Sequence, residues 1–532
     1  MAARVAPTRA CAARALRAAR DSRGVRAAAR SDSDRLGGVT VHALAVASRR
    51  ASEDPFSSSN PSGYCDLARA ESTLLDGYDT SGVGPERAAP SSGAELKRCA
   101  ASLLLEAGFG GPFASDDGTW LDPTWLSFAR ETSEADALEA LVAACCVVRA
   151  EEEKEKNQQE EEEEEEDEAR REHRDAARGV FGGVVVVAPH RPAWPSPAGA
   201  LARLGVGCVS ADPTTRDDSD SDSSPSADDA AARLVAALDD AKAALAADGV
   251  PVAAVVVGNP SPTTGRLASA AEIAAASRWC ARTRAHLVAD ETAAASVVAD
   301  VSAAASDDES VRRSFEGRSK AFESANPPPP WGRAAGFASA TALWRRGDAK
   351  THALASFGAA SGVSLGKTTC VFLTLSDAVR GAVGSDPYAS SAHALLGDGG
   401  VAAREAFARH ASRLDARRAA ARDAFARLGV ATGAVVDPGE APAVPTAASR
   451  AGLHVWCDFR GFIRPSATWA GERALWETLA ETHATLAIPG GQCGRAEPGW
   501  FRVAVAGDEE TLEEGIERIE LALRSLNDTG GG

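Results

Sequence analysis

The chain has 532 residues, enough for two ordinary domains or for one large enzyme subunit with additions. Its 75 acidic and 57 basic residues give a net charge of −18, which argues against a nucleic-acid surface because phosphate binding needs a concentrated positive field. The ten cysteines form no CxxC pair, so their spacing indicates neither a metal site nor a disulfide framework, and a reducing compartment fits.

The first 37 residues form a segment of their own. Residues 1–30 are rich in Arg and Ala, with Asp21 as the sole acid, a composition typical of an organelle transit peptide. We therefore expect a plastid or mitochondrial protein. The alternative is a disordered tail on a cytoplasmic protein, since Ala-rich stretches recur along the chain.

Two acidic segments are predicted to be surface insertions. Residues 151–174 are a charge run without an apolar stripe, so we expect a solvated helix or disorder. Residues 212–229 have the composition of a disordered linker. No apolar run approaches the roughly 18–20 residues that span a bilayer, so we expect a soluble protein that does not enter a membrane.

The middle of the chain predicts a parallel sheet. The runs "GGVVVVAP" and "VAAVVVGN" are typical of strands buried on both faces, and "LASAAEIAAASRWCARTRA" followed by "HLVADE" completes a βαβ unit. Further strands are predicted in "HALASF" and "TTCVFLTL". Ligands of such sheets gather at the carboxyl ends of strands, where Pro189, Asn259, Asp290 and Ser356 fall.

The pattern changes after residue 400. A long amphipathic helix is followed by a strand in "GLHVWCDF", a helix over 467–482, a strand in "WFRVAVA" and a last helix. The predicted fold is α/β, a mainly parallel sheet with helices on both faces, plus a smaller C-terminal α+β domain. We place the large domain at 38–399 and the small one at 400–532.

Four motifs carry a resemblance to a known family. The chain resembles fold-type I pyridoxal-phosphate aminotransferases, and among them the branch that includes 1-aminocyclopropane-1-carboxylate synthase. The resemblance runs from about residue 38 to the end, outside the two insertions. The motifs, in chain order, are "NPSGYCDLARAE", "NPSPTTG" followed by "HLVADE", "AGLHVWCDF" and "EPGWFRVAVAGDEETLEEGIERI".

The resemblance implies pyridoxal phosphate as cofactor and an α-amino acid as substrate. Asp290 matches the carboxylate at the pyridine nitrogen, although an Asp after a strand also serves as a helix cap. Arg502 matches the residue that binds the substrate carboxylate, with a surface ion pair as the alternative. Glu71 matches an acid near the substrate's amino or sulfonium end, or is a solvated surface residue.

Several positions depart from the family pattern. Pro262 replaces an asparagine and Ala293 replaces a tyrosine, both of which bind the ring oxygen of the cofactor in the family. Asn259 and His190 remain candidates for cofactor binding; the aromatic residue that the family stacks on the ring is replaced by His190 or Arg191, of which His190 can stack. The phosphate loop falls at "ARETSE", where Arg130 and Glu131 replace small residues and the carboxylate competes with a phosphate for the positive helix end. Thr132 and Ser133 can still donate to a phosphate, or one of them serves only as the helix N-cap.

The lysine that the family uses to bind the cofactor covalently has two possible positions. An ungapped comparison puts Ser356 on the phosphate-binding serine, Ala359 on the lysine and Lys367 on the phosphate-binding arginine, which removes the base and the covalent anchor together. The other register reads "SLGK" as the lysine motif and makes Lys367 catalytic. A surface lysine on an edge strand is the third interpretation.

Two functions follow. The first is a pyridoxal-phosphate enzyme that transaminates an α-amino acid or eliminates from it, with Lys367 as base. The second is a non-catalytic homologue that serves as a binding or regulatory subunit. The resemblance also implies a homodimer.

Overall fold

The computed structural model describes most of the chain outside its termini and insertions. The described residues are 38–68, 93–109, 121–129, 133–163, 183–187, 206–211, 227–247, 249–262, 264–299, 337–343, 350–357, 370–383, 396, 400–432, 449–463, 467–495 and 497–529. The transit-like segment and the candidates Glu71, His190 and Lys367 lie outside them, as does Ala359.

Nine helices and fifteen strands are formed by these residues. The helices are α1 Val41–Glu53, α2 Gly93–Ala107, α3 Glu134–Glu163, α4 Ala227–Ala247, α5 Ala270–Thr283, α6 Asp377–Val383, α7 Val401–Arg427, α8 Trp469–Glu477 and α9 Glu509–Thr529. The strands are β1 Cys65–Asp66, β2 Leu126–Phe128, β3 Gly183–Val187, β4 Gly207–Ala211, β5 Val252–Gly258, β6 His286–Asp290, β7 Val298–Ala299, β8 Thr351–Ser356, β9 Cys370–Thr374, β10 Ala431–Thr432, β11 Ser449–Arg450, β12 His454–Asp458, β13 Thr485–Leu486, β14 Ile488–Pro489 and β15 Trp500–Ala504. None of the helices within the described ranges has both the length and the apolar character to cross a membrane.

The large sheet has seven strands in the order β2-β9-β8-β6-β5-β3-β4. Neighbours pair in parallel from β4 to β8, and β9 alone runs against the others. The predicted α/β fold with a mainly parallel sheet is confirmed. All the strands predicted from β-branched runs are present.

Helices cover both faces of this sheet. On β5, Val255 packs in one apolar cluster with Trp279 of α5, whereas its neighbour Val256 packs in another with Leu141 of α3. Adjacent residues of a strand point to opposite faces, so a strand covered on both sides has no polar face, which is why the β5 sequence is an unbroken apolar run.

Local signals fix the crossover helix α5. Ser269 accepts a bond from the Glu272 amide at 3.2 Å, and the Glu272 carboxylate accepts one from the Ser269 amide at 2.8 Å. This capping box satisfies two amides that the first turn leaves without partners. Arg266 then donates two bonds to the same carboxylate.

A second, antiparallel sheet has the order β10-β12-β15-β14. Its apolar cluster includes Trp456, Phe501 and residues of α8 and α9, together with Ala47 and Ala51 of α1. The N-terminal helix therefore packs with the C-terminal part of the chain. The domain boundary at residue 400 stays a prediction, and α7 contributes Phe407 to the large-sheet cluster and Phe425 to the small-sheet cluster.

A close backbone contact joins the segment that follows β5 to the segment that precedes β12. Gly265 of the "NPSPTTG" motif has φ +69°, and a Cβ built there would lie 2.2 Å from the Ala451 carbonyl oxygen. Beside it, buried Arg418 of α7 donates to the Gly452 carbonyl at 2.8 Å and to that of Ser296 at 3.3 Å. Only glycine suits position 265, because both the positive φ and the approach of the neighbouring chain exclude a side chain.

The structure describes part of each predicted acidic insertion. Residues 151–163 continue α3, so this part of the charge run is helical, one of the two predicted states. Helix α4 begins at Ala227, so the last three residues of the second predicted insertion are helical, because Asp228 and Asp229 favour the positive end of a helix.

Candidate functional site

Three candidate residues lie at one edge of the large sheet. Gly258, which precedes Asn259, pairs with Asp290, and Asp290 pairs with Leu354, two residues before Ser356. The Asn259 amide donates to the Asp290 carbonyl at 2.8 Å. Because β5, β6 and β8 are adjacent and parallel, their carboxyl ends form one edge, as the sequence predicted.

Asp290 is buried at the end of β6. Its Oδ1 accepts from the Thr292 hydroxyl at 2.8 Å and from the Thr292 amide at 3.3 Å. Burial raises the pKa of the Asp290 carboxyl, and the two bonds from Thr292 oppose that shift. The carboxylate thus caps the turn that follows the strand.

Asn259 belongs to a buried hydrogen-bond network. Its side-chain amide donates to the Ala338 carbonyl at 3.0 Å, and its carbonyl oxygen accepts from the Ala268 amide at 3.1 Å. The neighbouring Glu291 accepts from the Ser339 hydroxyl and, at 2.7 Å, from the Ala340 amide; burial raises its pKa to about 8. Both polar groups of Asn259 are thus used to hold the segments that border the sheet edge.

The hydroxyl of Ser356 donates to the carboxylate of Glu134 at 2.5 Å. Glu134 is the first residue of α3, and Ser133 caps that helix by accepting the Asp136 amide at 3.1 Å. A carboxylate in the first turn is stabilised by the positive end of the helix. The expectation that Ser133 is an N-cap is confirmed, and the anion at this helix end is a side chain of the protein itself.

The described residues at this corner do not fit a phosphate group. Cys370 of β9 lies close enough to Glu134 and Asp290 for both carboxylates to act with burial in raising the pKa of its thiol. A phosphate dianion held by Ser356 would meet the Glu134 carboxylate at the same hydroxyl, and like charges at that range repel. Ser356 as a phosphate ligand stays a prediction.

The two ring-oxygen positions also lack donors. Pro262 and Ala293 are both half-buried, and neither side chain can donate a hydrogen bond. Two side-chain donors to the ring oxygen of the cofactor are therefore missing. At the predicted phosphate position, the Ser356 hydroxyl is already bonded to Glu134.

Arg502 lies in the centre of β15 with no exposed surface. Its Nη2 donates to the Ala68 carbonyl at 2.9 Å, whereas its Nε and Nη1 have no partner among the residues that the structure describes. Burial lowers its pKa to about 10, so the group is still a cation at neutral pH. A buried donor without an acceptor costs about 1–3 kcal/mol, and more when it is charged, so this position favours an anionic ligand.

The same sheet face carries two further donors without acceptors. Trp456 stands opposite Arg502 in the register of β12 and β15, and Trp500 precedes Arg502 by two residues, so the three share a face. The indole rings are stacked at 5.7 Å, and in the described ranges neither buried Nε1 atom has a hydrogen-bond partner.

Glu472 of α8 binds the backbone just before β15 and just after β14. Its carboxylate accepts from the Gly499 amide at 2.7 Å and from the Gly491 amide at 3.3 Å. Burial raises the pKa of Glu472 to about 7, against the effect of those two bonds. Glu472 therefore fixes where β15 begins, and with it the position of Arg502.

Sequence reasoning missed Glu134, Glu291 and Glu472. Glu134 follows the capping serine directly, and Glu291 follows Asp290, so both had a local signal. The contact that Glu134 makes was not predictable from local sequence, because its partner Ser356 lies 222 positions away.

The chain matches the family model described as aminotransferase class I and II over residues 228–519, more than half of its length. It is 41% identical over 81 residues to 1-aminocyclopropane-1-carboxylate synthase 4 of Oryza sativa subsp. japonica, covering 14% of this chain and 16% of that protein. It is 36% identical over 81 residues to synthase 6 of Arabidopsis thaliana, covering 15% and 16%. The matched segments thus span about a sixth of these relatives.

Solved structures agree in fold over nearly the whole chain. The N-succinyldiaminopimelate aminotransferase of Mycobacterium tuberculosis matches with a TM-score of 0.51 at 17% identity, covering 94% of this chain and 99% of that one. The aspartate aminotransferase of Thermus thermophilus with maleate matches with a TM-score of 0.52 at 16% identity, with the same coverage. The chain therefore belongs to the class I and II aminotransferase family.

Proposed function

We propose that this protein binds the carboxylate of an amino acid or 2-oxo acid at Arg502 and no longer uses pyridoxal phosphate for catalysis. The observation that carries the proposal is a fully buried guanidinium whose Nε and Nη1 lack acceptors. A carboxylate has two oxygens that accept such a pair of parallel donors.

The surroundings of Arg502 support a small anionic ligand. The indole nitrogens of Trp456 and Trp500 are further donors on the same sheet face, and they lack acceptors too. A ligand with a polar group beside its carboxylate would satisfy them as well. The family relative from Thermus thermophilus was solved with maleate, which is a dicarboxylate.

The contact between Glu134 and Ser356 supports the loss of the cofactor. In the ungapped register Ser356 is the family's phosphate serine, and here its hydroxyl is donated to a carboxylate of the chain. The same register puts Ala359 where the family has its lysine. The competing hypothesis, a pyridoxal-phosphate enzyme with Lys367 as base, requires the other register. The homodimer and the organelle location remain predictions.

Carboxylate binding is tested by calorimetry on the full chain with L-aspartate, L-methionine, L-alanine and their 2-oxo acids. We expect at least one of these to bind, and Arg502→Gln to lower its affinity by a factor of a hundred or more. The matched control is Arg473→Gln, since Arg473 is exposed and paired with Glu477 on α8. Equal affinities in the two variants would overturn the carboxylate site.

Cofactor loss is tested by adding pyridoxal phosphate and then borohydride. We expect no visible band and no fixed label on the wild type. A label that disappears in Lys367→Ala would overturn the proposal in favour of the enzyme. Glu134→Ala should raise the affinity for pyridoxal phosphate at least tenfold, because it removes the competing carboxylate, whereas the control Glu139→Ala should not.

A further inference from the structure

A second polar cluster lies at the other end of the large sheet. His286 is the first residue of β6 and His352 the second of β8, and Val288 pairs with His352, so the two imidazoles lie on one face of adjacent strands. Cys145 comes from α3, which covers that face. All three residues are buried. His286 is four residues before Asp290, at the opposite end of β6.

The three side chains bring potential ligand atoms together. One nitrogen from each histidine and the Cys145 sulfur all lie within 4.8 Å of one another. His286 Nδ1 and His352 Nε2 are 2.9 Å apart, and the rings are stacked at 5.2 Å. Two nitrogens bound to one metal at about 2.0–2.1 Å with a tetrahedral angle are about 3.3 Å apart, so a small shift would let both ligate the same ion.

The second nitrogens of the two rings differ in their contacts. His286 Nε2, the nitrogen that does not face His352, is buried and makes no hydrogen bond within the described part of the chain. His352 Nδ1, in contrast, lies 2.7 Å from the Thr374 hydroxyl. A histidine that ligates a metal usually has its other ring nitrogen fixed in this way by a neighbouring group.

The nearby charges are balanced. Lys350 and Arg149 are cations that act on His286, and Lys350 also acts on His352. Lys350 is paired with Glu152 and Arg149 with Glu153, each at 2.6 Å. An incoming cation therefore meets two ion pairs rather than two isolated positive charges.

We propose that Cys145, His286 and His352 form a binding site for a thiophilic d¹⁰ cation, and that monovalent copper is the preferred ion. Thiolate and imidazole ligands suit Cu(I) and Zn(II). On binding, the S–H bond of Cys145 breaks and its proton goes to solvent. The N–H···N bond between His286 Nδ1 and His352 Nε2 also breaks, and its proton moves to the other nitrogen of the same ring, so that both nitrogens and the sulfur bind the ion with no change of oxidation state. Cu(I) with one thiolate leaves a neutral centre, which costs less in a buried site than the positive centre that Zn(II) would leave.

The test is metal retention by the full chain after anaerobic loading with Cu(I) and desalting. We expect Cys145→Ala to lower the affinity for Cu(I) at least a hundredfold in competition with a Cu(I) chelator. Cys146→Ala is the matched control, because Cys146 is the next residue of α3 and is also buried, and it should bind like the wild type. Circular dichroism of both variants checks that they are folded.

Thr374→Val gives an independent measurement, because it removes the group that orients His352 without removing a ligand. We expect a 10–100-fold loss of Cu(I) affinity. Equal Cu(I) retention by Cys145→Ala and Cys146→Ala, or no retention by the wild type, would overturn the site. Stoichiometric retention of Zn(II) with none of Cu(I) would overturn the choice of ion.

Discussion

The end of β8 and the centre of β15 have opposite arrangements of charge. At Ser356 the protein supplies its own anion, since Glu134 accepts the hydroxyl at the positive end of α3. At Arg502 it supplies a buried cation with a single backbone acceptor and leaves two nitrogens without partners. In the assignment proposed above, the first place corresponds to the family's phosphate position and the second to its carboxylate position, and the chain supplies its own anion only at the first.

The comparison shows that the two places satisfy charge differently. At the positive end of α3, a carboxylate of the chain itself stands where an anion is favoured. On the face of Arg502, the adjacent residues Trp456, Trp500 and Ile488 carry no carboxylate. Four substitution experiments test this contrast and the packing on which it depends.

Gly265→Ala should have the largest effect. Gly265 lies at the contact between the segment that follows β5 of the large sheet and the segment that precedes β12 of the sheet that holds Arg502. A Cβ there would lie 2.2 Å from the Ala451 oxygen at φ +69°. We expect a loss of about 2–5 kcal/mol in the free energy of unfolding. Gly249→Ala is the control, with φ +71° and no atom within 4 Å, and should lose only about 1 kcal/mol. Equal losses in the free energy of unfolding of the two variants, measured in urea, would show that the close approach of Gly265 to Ala451 does not contribute to stability.

Glu472→Gln tests how the strand of Arg502 is held. The folded pKa of Glu472 is raised to about 7 from 4.5, so its contribution to stability is complete below pH 4.5 and is lost as the pH rises through 7. Gln does not titrate. The free energy of unfolding of the variant, taken relative to that of the wild type, should therefore rise by on the order of 2–3 kcal/mol between pH 4.5 and pH 8. Unfolding in urea at the two pH values measures this, with exposed Glu477→Gln as control. A difference independent of pH would contradict the assigned burial of the carboxylate.

Arg502→Met tests whether the cation has unsatisfied donors. Removing a buried charge without an anion should stabilise the ligand-free protein by about 1–2 kcal/mol, although it also frees the Ala68 carbonyl. The exposed control Arg473→Met should change stability by less than about 0.5 kcal/mol. Destabilisation by Arg502→Met would mean that the guanidinium is already satisfied, and the contrast with Ser356 would disappear.

The pair of Glu134 and Ser356 gives the smallest expected effect. Because Glu134 is half-buried, solvent weakens the bond, and a double-mutant cycle of Glu134→Gln and Ser356→Ala should give a coupling of about 1 kcal/mol. Zero coupling, with additive single effects, would show that the phosphate corner is not occupied by this carboxylate.

Much of the fold follows from local sequence. The apolar runs of β5 and β6, the capping box at Ser269 and the alternation in β15 predict their elements, because each depends on residues a few positions apart. The parallel order then places Asn259, Asp290 and Ser356 at one edge. The use of Asn259 in a structural network was not predictable, because its partners Ala338 and Glu291 come from segments far apart in the chain.

The sequence by itself determined the strand and helix pattern, the family, and the presence of an acid after β6 and an arginine in β15. Only the tertiary structure decided that Glu134 meets Ser356 across 222 residues, that Arg502 is left with donors but few acceptors, and that Cys145, His286 and His352 converge. The physical reason is range: capping and periodicity act over three or four residues, whereas these contacts depend on how α3 docks on the sheet and how the two sheets pack.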